Sequence, residues 1–334
     1  MTGETQQLLS ETADRLFRDL CADRRLEFSG LWRQLDEAGF KSLLVPEADG
    51  GFGGSFRDVA AVLRLAGQHG LGAPLAEAIV ATYMAHSAGF VIPEGFLSLG
   101  PVADGTLQGS RFSGTLRAVP WGESAEMVVA EVGTRLVMVP RSSATSVATT
   151  NNPAGEPRTT LRFANAPVSV ASASDELMTL GAFSRSCLIA GALDGALARS
   201  IEYANSRIQF GKPIGKFQAV QQVLAVFAEE AAAVNCAAEA AALALDKADG
   251  RFEVACAKLR ANSAASIGVA TAHQVHGAIG FTAELGLHHL TRRLILWSGE
   301  FGNERSWAEE LGGTVAALGA DQLWPEITRR GDRL

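Results

Sequence analysis

The sequence predicts a mainly α protein with a small β module set between two helical regions. Three observations carry this expectation. Apolar residues recur at three- and four-residue intervals up to about residue 95 and again beyond about residue 170. Between those limits the chain breaks into short β-rich runs punctuated by Gly, Pro and Asn. Aromatic residues make up only 7% of the chain while alanine is plentiful, a balance that favours helices over a sandwich or barrel. The expected organisation is an N-terminal helical domain over 1–95, a middle antiparallel β domain over 96–170, and a C-terminal antiparallel helical bundle over 171–334.

In the first region, SGLWRQLDEAGF places Leu31, Leu35 and Phe40 on a helix, with Ser29 as its N-cap and Gly39 near its end. VPEADGGFGGS follows as a turn between helices. It lacks the Lys-Ser/Thr of a phosphate loop, and no buried strand precedes it. SFRDVAAVLRLAGQHG and APLAEAIVATYMAHSAG read as two further helices. In the β region, EMVVAEVGTRLVMVPR predicts a hairpin turning at Gly133-Thr134. The runs are too short for crossover helices, so the strands are expected to be antiparallel. The third region holds three long helical patterns, the second stopped by Gly250. Alanine on facing helices permits close approach, and the lengths suit a bundle with short connections.

With 334 residues, 47% of them hydrophobic, the chain can bury a large core and more than one domain is expected. A net charge of -7 gives no electrostatic case for nucleic-acid binding. Cys21, Cys187, Cys236 and Cys256 show no CxxC spacing and read as reduced, structural thiols. The polar, acidic N-terminus has no apolar core of a signal peptide, and no uncharged apolar run is long enough to span a bilayer. A cytoplasmic protein without membrane insertion is expected.

Two segments carry more specific information: RIQFGKPIGKFQ from Arg207 to Gln218, and QVHGAIGFTAE from Gln274 to Glu284, with His273 before it. Together with GFKSLLVPEADGGFGG and the helix–β–helix order, they resemble the flavin-dependent acyl-CoA dehydrogenases over nearly the whole chain. The resemblance implies FAD as cofactor and an acyl-CoA as substrate. A guanidinium suits a pyrophosphate, because its planar donor fork matches phosphate oxygens. The resemblance gives that part to Arg207, with Gln209 to hydrogen-bond and Phe210 to pack beside the cofactor. Gly211 and Pro213 make the turn, and Gln218 starts the next helix. The resemblance implies that Gln274, Gly277 and Ala278 face the ADP half of a flavin held mainly by the neighbouring subunit. Most members carry a second glycine where Ala278 stands. His273, His276, His288 and His289 read as packing or hydrogen-bonding residues, since no thiol or carboxylate completes a metal set.

The family's reaction removes an α-proton and a β-hydride, and needs a carboxylate base. Resemblance offers two positions for it. One falls on Phe301, with Glu300 a single residue away; Glu300 is the candidate catalytic residue of this chain. The other falls on Arg185, which stays protonated and cannot act as a base. The flavin-ring segment of the β module is also shortened to FLSLGPVADGTLQGS, with VPWGES at Trp121 as a remnant of the tryptophan segment. These departures imply a subunit that serves a partner's FAD. A longer catalytic chain would complete a heterotetramer, two copies of each, as in actinobacterial steroid-CoA side-chain dehydrogenases. Electrons would pass to an acceptor such as electron-transfer flavoprotein. Two alternatives remain: a self-sufficient homo-oligomer using Glu300, and a degenerate scaffold subunit without enzymatic work.

Overall fold

The computed structural model describes residues 3–22, 27–173, 176–247 and 249–332. The described chain begins with helices α1 (Gly3–Ala22), α2 (Phe28–Glu37), α3 (Phe56–His69) and α4 (Leu75–Ser87). Strands β1 (Leu97–Gly100), β2 (Val102–Gln108), β3 (Arg111–Pro120), β4 (Met127–Val132), β5 (Arg135–Pro140), β6 (Ser146–Asn151), β7 (Pro157–Pro167) and β8 (Ser169–Ser172) follow. Helix α5 (Leu177–Ser206) leads through the two-residue strands β9 (Ile208–Gln209) and β10 (Lys212–Pro213) to α6 (Gln218–Lys247). The chain continues through α7 (Arg251–His276), α8 (His288–Gly299), α9 (Glu304–Leu318) and α10 (Ala320–Gly331). The mainly α fold with a small β part is as the sequence predicts. The chain forms two compact units. One draws on Ala22–Val59 and Gly72–Gly181, the other on Gly3–Cys21, Ala60–Leu71 and Ala182–Leu334.

In the first unit two four-stranded sheets, ordered β1-β4-β5-β8 and β2-β3-β7-β6, bury Phe112, Leu116, Val128, Val137, Leu161 and Phe163 between them. The β4–β5 hairpin turns at Gly133, φ 59°, with Val132 opposite Arg135, as the Gly-Thr pair predicts. The module is not wholly antiparallel: β1 pairs with β4 in parallel. The reason is topological, because β2 and β3 cross to the other sheet and carry the chain back to the same end. Helix α2 begins one residue ahead of Ser29, and Glu27 holds the N-cap position without a side-chain cap bond. Burial decides that start: Phe28 and Trp32 of α2 pack with Phe96 and Trp121. Gly39 ends the helix in the left-handed conformation, as expected.

In the second unit the long helices α5, α6 and α7 assemble with α1, the C-terminal part of α3, and α8 to α10. Glycine sets one crossing. A Cβ on Gly191 of α5 would stand 1.7 Å from the Arg64 carbonyl oxygen, and one on Gly67 of α3 would stand 2.1 Å from the Leu188 carbonyl oxygen. The two helices therefore touch backbone to backbone. Nearby, Arg64 donates to Asn235 Oδ1 at 3.2 Å, and Asn235 donates to Asp194 at 3.0 Å. Gly250 does not stop α6, which ends before it; Gly250 caps the start of α7. Cys236 is exposed rather than packed as a small hydrophobe. Among the described residues no helix is long and apolar enough to cross a membrane.

Close packing at Gly191 predicts intolerance of any side chain. Gly191→Val should destabilise the protein by about 3 kcal/mol, the upper range for overpacking a core. Denaturant unfolding measures it, and an unchanged midpoint would contradict the crossing.

Candidate functional site

The first motif begins where α5 ends. The Arg207 amide donates to the Tyr203 carbonyl at 2.8 Å, and the Ile214 amide closes back onto the Arg207 carbonyl at 2.8 Å. Between them β9 and β10 pair with Gln209 opposite Lys212. The turn is Phe210-Gly211, with φ 51° and 78°. A two-residue hairpin of this kind needs positive φ at both central positions, which a glycine takes without strain and a phenylalanine does not. Phe210 nevertheless holds it, 92% exposed as a residue, with its ring edge-on to Phe217 at 6.2 Å. Arg207, Gln209 and Gln218 are exposed, and Gln218 is the first residue of α6. Among the described residues no ion pair engages the Arg207 guanidinium.

The second motif lies at the end of α7. Gln274 is in its last turn, and Gly277 follows at φ 63° with open space where a Cβ would stand. Gln274, Gly277 and Ala278 are all exposed. His276 is buried; its Nδ1–H donates to the Ala272 carbonyl at 2.8 Å and its ring stacks on Tyr203 at 4.6 Å. This stack ties the end of α7 to the end of α5, the helix ends at which the two motifs lie. Ile201, Ile208 and Phe281, close to or within the motifs in sequence, are exposed apolar side chains.

The candidate base lies elsewhere in the same unit. Glu300 follows the end of α8, and its Oε2 accepts a hydrogen bond from Arg185 Nε of α5 at 2.7 Å. Arg185 is 1% exposed. Its guanidinium also lies over the Phe301 ring at 5.1 Å. The two positions that resemblance offers for a base, Phe301 and Arg185, thus meet as a cation over a ring, and the neighbouring Glu300 pairs with that cation. Beneath the turn, the Lys258 ammonium of α7 donates to Asn262 Oδ1 and to the carbonyls of Trp297, Ser298 and Gly302. Burial, with the Arg185 guanidinium nearby and Glu300 opposing, pushes Lys258 from 10.5 down to about 7.

In the β module the tryptophan remnant is closed. Trp121 is 6% exposed, and Phe28 stacks on it with ring centroids 6.3 Å apart. Its ring is committed to the core of that unit and offers no free face.

Comparison with known proteins gives the family. Residues 172–298 match the model of the acyl-CoA dehydrogenase C-terminal domain. Acyl-CoA dehydrogenase IpdE2 of Mycobacterium tuberculosis is 29% identical over 302 residues, covering 87% of this chain and 91% of that protein. This chain belongs to the acyl-CoA dehydrogenase family. The cofactor of the family is FAD. The fold is also that of a chain in the ChsE4-ChsE5 complex from Mycobacterium tuberculosis, with a TM-score of 0.83 and 25% identity over 96% of this chain and 99% of that one. A variant of the Tcur3481-Tcur3483 steroid ACAD gives a TM-score of 0.85 at 23% identity, over 95% and 99% of the two chains.

For a member of this family the arrangement divides in two. Arg207, Gln209, Phe210, Gln218, Gln274, Gly277 and Ala278 are open to solvent on adjoining helix ends. Glu300 is not among them; it is paired with Arg185 instead. Lys258, Asn262 and Trp307, which brace the Glu300 turn, were not legible as site residues. The available signal was a lysine on the Val254–Ala257–Ala261–Ala265 stripe of α7, where a charge has no solvent.

Two outcomes are expected. Glu300→Gln removes the charge facing a buried guanidinium and should cost about 3 kcal/mol, whereas Arg185→Met with Glu300→Gln should recover most of it. Unfolding of the singles and the double gives the coupling, and a cost near zero for Glu300→Gln would remove the pair as a structural element. Lys258 also predicts a pH slope. Between about pH 7 and 10.5 the unfolded chain holds a proton that the folded chain has released. Stability therefore rises with pH across that window, by at most about 1.4 kcal/mol per unit. The difference between wild type and Lys258→Met should move toward wild type as pH rises from 7 to 10, and a flat difference would contradict it.

Proposed function

We propose that this chain is the non-catalytic subunit of a heteromeric FAD-dependent acyl-CoA dehydrogenase, lending the pyrophosphate side of a flavin site whose catalytic base sits on a longer partner chain. One observation carries the reading. The positions open to a base are occupied by the Arg185–Glu300 pair and Phe301, while the cofactor-facing motif residues remain exposed. A carboxylate engaged by a buried guanidinium is poorly placed to take a proton from a substrate carbon. Likeness to chains from two-protein complexes, ChsE4-ChsE5 and Tcur3481-Tcur3483, supports a partner. The latter is a steroid ACAD, which supports a bulky steroid acyl-CoA as substrate.

The residues present fit the cofactor. A pyrophosphate needs cationic donors free of other partners, and the exposed Arg207 guanidinium meets that need. The hairpin fixes its backbone between two hydrogen bonds of 2.8 Å, so little order remains to be imposed on binding. Gln209, Gln218 and Gln274 would add neutral donors and acceptors, and Gly277 lets backbone approach closely. Phe210 and Ala278 would cover the site from water. When bound, FAD supplies the hydride acceptor of α,β-dehydrogenation; this chain's part is to bind, orient and screen it. The partner would take the α-proton, and electron-transfer flavoprotein is the class of electron acceptor that suits the chemistry. A cytoplasmic site of action is part of the same reading.

Expressed alone, the chain should purify with little or no flavin, and co-expression with the longer partner should give yellow, active complex. Arg207→Ala should weaken FAD retention by the complex about tenfold or more, the loss expected for a charge-assisted hydrogen bond. Glu300→Gln should leave turnover of the folded complex unchanged. A lone chain that purifies yellow and reduces a dye with acyl-CoA would overturn the proposal.

A further inference from the structure

The Lys258 ammonium is fully buried and lies among four oxygens: Asn262 Oδ1 at 2.5 Å, and the carbonyls of Trp297, Ser298 and Gly302 at 3.1, 3.2 and 3.1 Å. These oxygens converge for a reason. Trp297 and Ser298 are in the last turn of α8, whose carbonyls carry the negative end of the helix dipole; the Trp297 carbonyl also takes the Glu300 cap amide, at a long 3.3 Å. The chain then reverses through Phe301 at φ 51° and Gly302 at φ 93°, which returns the Gly302 carbonyl to the same point. Asn262 stands one helical turn from Lys258 on α7 and adds a fourth oxygen. All four are neutral acceptors. The charged groups facing them are Arg185 from α5 and Glu300 from the turn, which pair with each other.

We propose that these four oxygens form a cation cage with the Lys258 ammonium as its tethered occupant, and that the filled cage sets the turn that aims Glu300 at Arg185. A primary ammonium suits the cage because it brings charge and three N–H donors on a compact head. Lys258 is thus a positioning residue. It touches no substrate or cofactor, and acts by fixing the backbone of residues 297–302. The inference stands apart from the proposed flavin role, since it concerns the lone chain without cofactor or partner.

Trp307 supplies a local reporter. Its Nε1–H donates to the Phe301 carbonyl at 3.0 Å, and a Cβ on Gly302 would meet that nitrogen at 2.3 Å, so the indole lies directly on the turn. At pH 6, nitrogen-resolved NMR of the wild type should show an exchange-protected Lys258 ammonium and an indole signal assigned by Trp307→Phe. Lys258→Met should shift or broaden that indole signal and lower the melting temperature by about 5 °C or more. Lys258→Ala should do the same, and n-propylammonium should restore the indole signal. Tetramethylammonium, which has charge but no N–H, should not. Absence of a protected ammonium in the wild type overturns the proposal even where the variants fail to fold. So does an unchanged indole signal in Lys258→Met, or restoration by tetramethylammonium as complete as by n-propylammonium.

Discussion

Two cations are sealed inside an alanine-rich helical bundle, and the local structure around α8 depends on how their charge is answered. Arg185 and Lys258 are 1% and 0% exposed. Burying a charge costs far more than an alanine bundle returns unless polar partners are aimed at it. Alanine helices supply few polar side chains, so the partners come from one carboxylate, one amide and the frayed end of a helix. That requirement accounts for the path of the chain after α8. The helix must stop where its last carbonyls reach Lys258, Glu300 must turn toward Arg185, and Phe301 and Gly302 must adopt positive φ to bring a third carbonyl back.

The same constraint bears on chemistry. A general base needs a lone pair free to meet a substrate proton, and a flexible or open approach to it. Glu300 is committed otherwise, because its Oε2 accepts from a guanidinium that is itself buried and lies over the Phe301 ring. In the β module Trp121 is likewise turned to internal packing by Phe28. What stays available is a set of donors and small residues on the ends of α5 and α7, joined by the Tyr203–His276 stack. On the heteromeric reading proposed above, buried charge spent on structure and motifs left at the surface suit a chain that completes a site rather than contains one.

Local features were legible in the sequence, and contacts between distant segments were not. Gly39, the Gly133 turn and the start of α6 at Gln218 follow from turn and helix-end chemistry that a few neighbouring residues decide. Ser29 failed as an N-cap because burial of Phe28 and Trp32 moved the helix start, a tertiary effect that propensity does not carry. The parallel β1–β4 pair failed for the same kind of reason, since the intervening hairpin belongs to another sheet. The Arg185–Glu300 pair joins residues 115 positions apart, so Glu300 could be nominated from its neighbourhood but its partner could not.

Two aromatic residues share one backbone strain and resolve it differently. Phe210 and Phe301 both stand at φ 51°, a conformation costing an ordinary side chain roughly 1–2 kcal/mol. At Phe301 the cost is offset within the chain: the ring is buried under Arg185, and the carbonyl accepts from Trp307. Phe210 finds no such return, with 92% of its surface exposed and one edge contact to Phe217. Strain of this kind persists where the surroundings determine it. The surroundings of Phe210 within the chain amount to a two-residue hairpin, so nothing in the chain itself offsets the cost. On the heteromeric reading the cover of the Arg207–Gln218 segment is the partner's flavin and its enclosing chain, and the hairpin is built to meet it already folded.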